Sequence, residues 1–124
     1  MKYVSGFSRF LAMLLSQGRH QGRPVVPAET LAEWFAPQSL PPLPPPRATI
    51  AREGYALGWS VHRLNGDVAF MHNGFGSGFA TYVYLVPARQ TGGMIFVTGQ
   101  PAPQILFPRL ERAIEQMVKA AGHL

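Results

Sequence analysis

The residues of this 124-residue chain best placed to do chemistry are His72-Asn73-Gly74, followed at once by the glycine-rich Phe75-Gly76-Ser77-Gly78-Phe79. Histidine is the side chain whose ordinary pKa lies closest to neutrality. The asparagine amide both donates and accepts hydrogen bonds, and glycines let a backbone approach a ligand closely. Residue types alone leave two readings of His72 open. It is a strand-end histidine satisfied by a local hydrogen bond, or it is a functional group.

Other chemistries lack parts. The serines are Ser5, Ser8, Ser16, Ser39, Ser60 and Ser77, and none has a lysine three residues on; the lysines are Lys2 and Lys119. Gly76-Ser77-Gly78 lacks the spacing of a Gly-x-Ser-x-Gly nucleophile elbow. His20, His62, His72 and His123 are too widely spaced for a metal site, and Asp67 is the single aspartate. With no cysteine there is neither a disulfide nor a thiolate ligand. Gly74, Gly76 and Gly78 do not make a phosphate loop, because Phe79 begins a strand where a helix N-terminus would be needed.

The elements that must position His72 are legible in the pattern. Phe7, Phe10, Leu11, Leu14 and Leu15 mark one face of a helix over 6–17, with Ser5 as N-cap and Gly18 as the left-handed stop. Residues 18–26 form a turn-rich connector. A second helix starts at Pro27, carries Glu29 in its first turn, buries Leu31, Trp34 and Phe35, and stops at Pro37. Leu40-Pro41-Pro42-Leu43-Pro44-Pro45-Pro46 is a stiff polyproline crossing, preferred to a PxxP ligand for an SH3-type domain. Strands follow over 55–64, 67–71, 79–86 and 94–98, with Asn65-Gly66 as a type I′ hairpin turn. Strand 79–86 is apolar on both faces and so belongs in a sheet covered on both sides. A closing helix over about 104–121 covers one face with Leu106, Leu110, Ile114, Met117 and Val118, its regular part beginning near Pro108. The first two helices, or something outside this chain, cover the other. The expected fold class is α+β, a four-stranded antiparallel meander packed with N-terminal helices and a C-terminal helix. Chain 1–124 reads as a single partial domain: a helical segment over 1–37, a proline-rich crossing over 38–54, the sheet over 55–100 and the last helix over 101–124.

Composition narrows the partners. Hydrophobic residues make up 47% and charged residues 14%, which excludes a disordered tail. The net charge of +5 is spread over scattered arginines rather than gathered in a stripe, so no nucleic-acid partner is expected. No apolar run approaches the roughly 18 residues of a membrane span. Phe10 to Leu15 after Met1-Lys2 is outwardly like a signal peptide, but the run is short and Arg9 abuts it, so it reads as an ordinary helix.

Taken in series, several segments resemble the C-terminal part of serine β-lactamase-like proteins, the group of class C β-lactamases, penicillin-binding DD-peptidases and related esterases. They are Phe7-Ser8-Arg9-Phe10-Leu11, Gly22 to Leu31, Gly54-Tyr55-Ala56-Leu57-Gly58-Trp59, His72 to Phe79, Tyr84-Leu85-Val86-Pro87 and Gly93 to Thr98. The resemblance implies acyl transfer through a serine acyl-enzyme, on a β-lactam, a peptide or an ester, with no cofactor. It implies that His72, Asn73 and Gly74 stand at the family's third motif, Lys-Thr-Gly or His-Ser/Thr-Gly, where the first side chain helps hold a substrate carboxylate. Asn73 replaces the usual hydroxyl residue. Gly76 or Ser77 is the candidate for an oxyanion-hole N–H, and Ser77 stands where proline is common. The Ser-x-x-Lys and Tyr-x-Asn motifs have no counterpart; Tyr3-Val4-Ser5 comes just before a helix that the family places well after its second motif. The expectation is a C-terminal fragment, inactive alone, that meets a small-molecule or peptide substrate only when completed. The alternatives are a non-catalytic binding module and one half of a split hydrolase. Family members are often periplasmic or secreted; the compartment here stays open. Self-association is expected through any sheet face left uncovered.

Overall fold

The computed structural model describes residues 2–38, 50–99 and 102–121. The polyproline run lies outside them.

The first helix, α1, spans Lys2–Leu15 and buries Leu11, Met13 and Leu14. It starts earlier than its apolar stripe predicts, so Ser5 lies inside the helix rather than capping it. Gly18 ends it as expected. Its φ is +82°, its N–H donates to the Met13 carbonyl at 3.0 Å, and a Cβ there would meet the Val26 carbonyl oxygen. The connector is a small hairpin, β1 (Arg19–His20) and β2 (Arg23–Pro24), turned by Gln21 and Gly22, both with positive φ. Helix α2 (Ala28–Phe35) starts one residue later than predicted. Pro27 has helical φ but extended ψ (142°), so it precedes the first turn. Ala36 is extended because Pro37 disfavours a helical residue before it.

The sheet is an antiparallel meander of five strands: β3 (Ile50–Tyr55), β4 (Ser60–Leu64), β5 (Asp67–Gly76), β6 (Phe79–Val86) and β7 (Thr91–Thr98), adjacent in that order. The α+β class holds, but the strand expected over 55–64 is a hairpin. Gly58, with φ +80°, reverses the chain, and the Ala56 N–H donates to the Trp59 carbonyl at 2.7 Å. Residues 50–54, read from sequence as part of the crossing, supply the other arm. Asn65 and Gly66 have φ of +51° and +92°, the I′ geometry their types predict.

Both faces of the sheet are covered. Helix α3 (Pro103–Ala121) lays Leu106, Leu110, Ile114 and Val118 over Leu64, Ala69, Met71, Ala80, Tyr82, Tyr84 and Val86. On the other face α1 and α2 cover Val61, Phe70, Val83 and Leu85. This is the arrangement demanded by a strand such as β6, which is buried from Tyr82 to Val86. Two details of α3 differ from expectation. Met117 is 40% exposed, and the helix runs through Pro108 instead of starting there. The missing Pro108 N–H costs one bond, but Leu106 is buried and Phe107 packs against the same core, so the turn before the proline stays helical.

Candidate functional site

The site is built by a mismatch of strand lengths. Residues Asp67 to Met71 of β5 pair with β4, and from Phe70 onward β5 also pairs with β6 on its other side. Beyond Ser60↔Met71, β4 gives out, while β5 continues against β6 through His72↔Val83, Asn73↔Tyr82, Gly74↔Thr81 and Gly76↔Phe79. Among the described residues His72–Gly76 therefore has one edge unpaired. Alternate backbone N–H and C=O groups there have no ladder partner.

The five residues singled out from sequence share this segment but not one face. Strand alternation sets His72, Gly74 and Gly76 on the side of Phe70, facing α1 and α2. Asn73 falls on the side of Met71, facing α3. His72 and Asn73 are exposed, Gly74 and Gly76 half-buried. Ser77 lies exposed in the turn to β6, with Gly78 (φ +85°) beside it. The two glycines are not open floor. A Cβ on Gly74 would stand 2.8 Å from Thr81 Oγ1, and one on Gly76 would stand 2.6 Å from the Phe79 ring.

Where β4 gives out beside β5, at an edge that residues of either facing border, lies a pocket of about 220 Å³. Tyr55, Ser60 and His62 line it from β3 and β4, Met71, His72 and Asn73 from β5, Tyr82 from β6 and Glu111 from α3. Its polar contacts form a chain. The Ser60 hydroxyl donates to the Met71 carbonyl at 2.8 Å, and His62 Nε2 lies 2.9 Å from Ser60 Oγ. A hydroxyl has one hydrogen, so His62 Nε2 is the donor to Ser60. Ser60 is thus hydrogen-bonded in the sense opposite to that of an activated nucleophile, whose proton must point at its base. The Tyr82 hydroxyl donates to Met71 Sδ at 3.4 Å. Burial first, and then the Glu111 charge, push its pKa up to about 12. The phenol stays protonated at neutral pH and does not serve there as a base. Sequence reasoning missed this group. The available signal was the Ser-x-His spacing, which sets two side chains on one face of a strand. No group of three metal-ligating side chains occurs among the described residues.

One long match decides the family. A family model described as Beta-lactamase matches residues 6–116, from within α1 to within α3. The chain belongs to the β-lactamase family. No curated protein matches it. The family match takes in the whole meander and most of both helical covers, so the series of short segments seen in the sequence falls within one continuous match. It also carries the class of chemistry, that of β-lactamase-related serine hydrolases, onto a chain whose nucleophile motif is absent.

Proposed function

We propose that this chain is one wall of a β-lactamase-type active site and does not turn substrate over by itself. The reading rests on one observation above others: among the described residues no serine is set up as a nucleophile. No serine of the sequence has a lysine three residues on, and Ser60, which lies beside His62, donates its hydrogen bond to the Met71 carbonyl. What the wall offers is the open edge of β5 from His72 to Gly76. An extended peptide or a β-lactam amide would hydrogen-bond there to backbone groups that β4 leaves unpaired, as a strand adds to a sheet edge. His72 would meet the substrate carboxylate from one face, and Asn73 would donate from the other. Gly76 or Ser77 would supply a backbone N–H to an oxyanion only if a nucleophile were brought opposite.

The test is turnover of a chromogenic β-lactam and a chromogenic ester by the purified chain. The expected result is no rate above the uncatalysed background, with no covalent adduct to a serine-reactive fluorophosphonate. Labelling of any serine together with turnover would overturn the proposal. The cover on both sheet faces favours a second reading, a self-sufficient binding module. Saturable binding of a β-lactam or D-Ala-D-Ala peptide, without turnover and lost in His72→Ala, distinguishes a module that uses this edge.

A further inference from the structure

The pocket beside the open edge of β5 has a lining that serine chemistry does not use. In the register of the sheet Tyr55, Ser60 and Met71 form one row across β3, β4 and β5. Asn73 and Tyr82 form the next row, two residues on along β5. Strand alternation gives both rows one facing, that of the α3 cover, which packs on Met71 and Tyr82. Strand β4 begins at Ser60, and the position that would stand opposite Asn73 is Gly58, which turns the chain (φ +80°) and brings no side chain. That gap is the pocket of about 220 Å³, and Glu111 of α3 borders it.

Several of its donors are spent on the protein. The Ser60 hydroxyl donates to the Met71 carbonyl, His62 Nε2 to Ser60 Oγ, and the Tyr82 hydroxyl to Met71 Sδ. The lining still offers two side-chain acceptors, the Glu111 carboxylate and the Asn73 amide oxygen. A carboxylate has about four acceptor sites, so a ligand N–H adds to whatever bond Glu111 already makes. Among the described lining residues there is no lysine and no arginine. The negative charge is felt inside the pocket, since after burial it is Glu111 that pushes the Tyr82 pKa up. Tyr55 and Tyr82 add aromatic surface, which attracts a cation. An anion would meet a carboxylate; a cation bearing N–H groups meets a complement.

The geometry points to this pocket as a site for a small organic cation, an alkylammonium group that donates to the Glu111 carboxylate and lays its chain against Met71 and the two tyrosines. An ammonium has three donors and no acceptor, which matches what the lining offers. The volume lies below the roughly 300–1,000 Å³ of a site for a drug-sized molecule, so the occupant is one group of a few heavy atoms. Two sources carry that group. One is a free amine. The other is an amine-bearing side chain of a peptide laid along β5, whose residue opposite Asn73 projects to the same facing as Asn73. The second source rests on the proposed docking edge; the first does not.

The experiment is titration of the 124-residue chain with n-butylammonium, n-butanol and butyrate, followed by calorimetry and amide chemical shifts. The expected result is saturable binding of n-butylammonium with Kd on the order of 1 mM, as suits five heavy atoms. Butanol and butyrate should bind at least about tenfold more weakly, and the shifts should gather at Tyr55, Ser60, His62, Asn73 and Glu111. Glu111→Gln should weaken n-butylammonium about tenfold. Glu115→Gln, one turn on along α3 at a residue paired with Lys119 and outside the lining, removes the same charge and should leave binding unchanged. No saturable binding of n-butylammonium overturns the inference. So does butanol binding equally well, shifts centred elsewhere, or full affinity in a folded Glu111→Gln protein. The ligand comparison needs no variant, so it decides even where Glu111→Gln fails to fold. Blocked tripeptides with a central lysine or norleucine separate the sources. A lysine peptide that displaces n-butylammonium while the norleucine peptide does not upholds the side-chain source; displacement by neither upholds the free amine. Butylammonium binding involves no serine and no strand addition, so its failure and that of the proposed function are told apart.

Discussion

The ring of Phe79 lies over Gly76, so that a Cβ on Gly76 would come within 2.6 Å of it. The two residues face each other across the end of the β5–β6 hairpin, and the ring occupies the space a side chain would need. Gly76→Ala should therefore cost about 1–3 kcal/mol through overpacking. Phe79→Ala should relieve most of that penalty. A double-mutant cycle by urea unfolding checks it, and additive effects of the two substitutions would show that the ring moves aside at no cost.

Core and site should separate cleanly in stability. Ile114 is fully buried between α3 and the sheet. Ile114→Ala should cost about 2–5 kcal/mol from lost burial and the cavity left behind. His72 is exposed, and His72→Ala should change stability by no more than about 0.5 kcal/mol. Denaturant midpoints at constant m-value measure both. A large loss at His72 would assign it a structural role.

Ser60 should behave as a structural hydroxyl. Ser60→Ala removes the acceptor of His62 Nε2 and the donor to the Met71 carbonyl. The expected cost is about 1–2 kcal/mol, with no change in the background rate on chromogenic esters. Loss of a measurable esterase rate in this variant would make Ser60 a nucleophile after all.

Alkali should destabilise the fold through its buried phenols. Tyr82 titrates near 10 in an unfolded chain but is pushed up to about 12 in the native one, by burial and then by Glu111. Burial raises Tyr84 as well. The native state therefore holds these protons more tightly than the unfolded state does. The Tyr82 contribution is complete below pH 10, falls as pH rises from 10 towards 12, and is gone above the native pKa. For Tyr82 the loss is on the order of 2 kcal/mol. Tyrosinate absorbance should show a late-titrating fraction in the native protein that is smaller in Tyr82→Phe, and the fall in stability from pH 10 to 12 should shrink with it.

Much of the fold was legible because local rules suffice where they act alone. Asn65-Gly66 and Gly18 adopt the left-handed backbone their types favour, and the doubly apolar 79–86 run is covered on both sides. The misreadings fall where one residue served two descriptions. Gly58 inside an apolar run reads as a tolerated strand glycine or as a turn, and the pairing of residues 50–55 with 60–64 makes it a turn. Pro108 reads as a helix start until the burial of Leu106 shows what holds the turn before it. Ser60 and His62 escaped notice because their bond depends on the Met71 carbonyl of a neighbouring strand.

By itself the sequence determined the two leading helices, the Asn65-Gly66 turn, the closing helix, the family resemblance and the absence of a lysine-activated serine. These are properties of residue type and spacing along one chain. Only the tertiary structure decided that α1 and α2 close the second sheet face and that β5 outruns β4 at His72. Each of these depends on which strand ends where beside its neighbour. That is set by long-range register and packing, which no local pattern encodes.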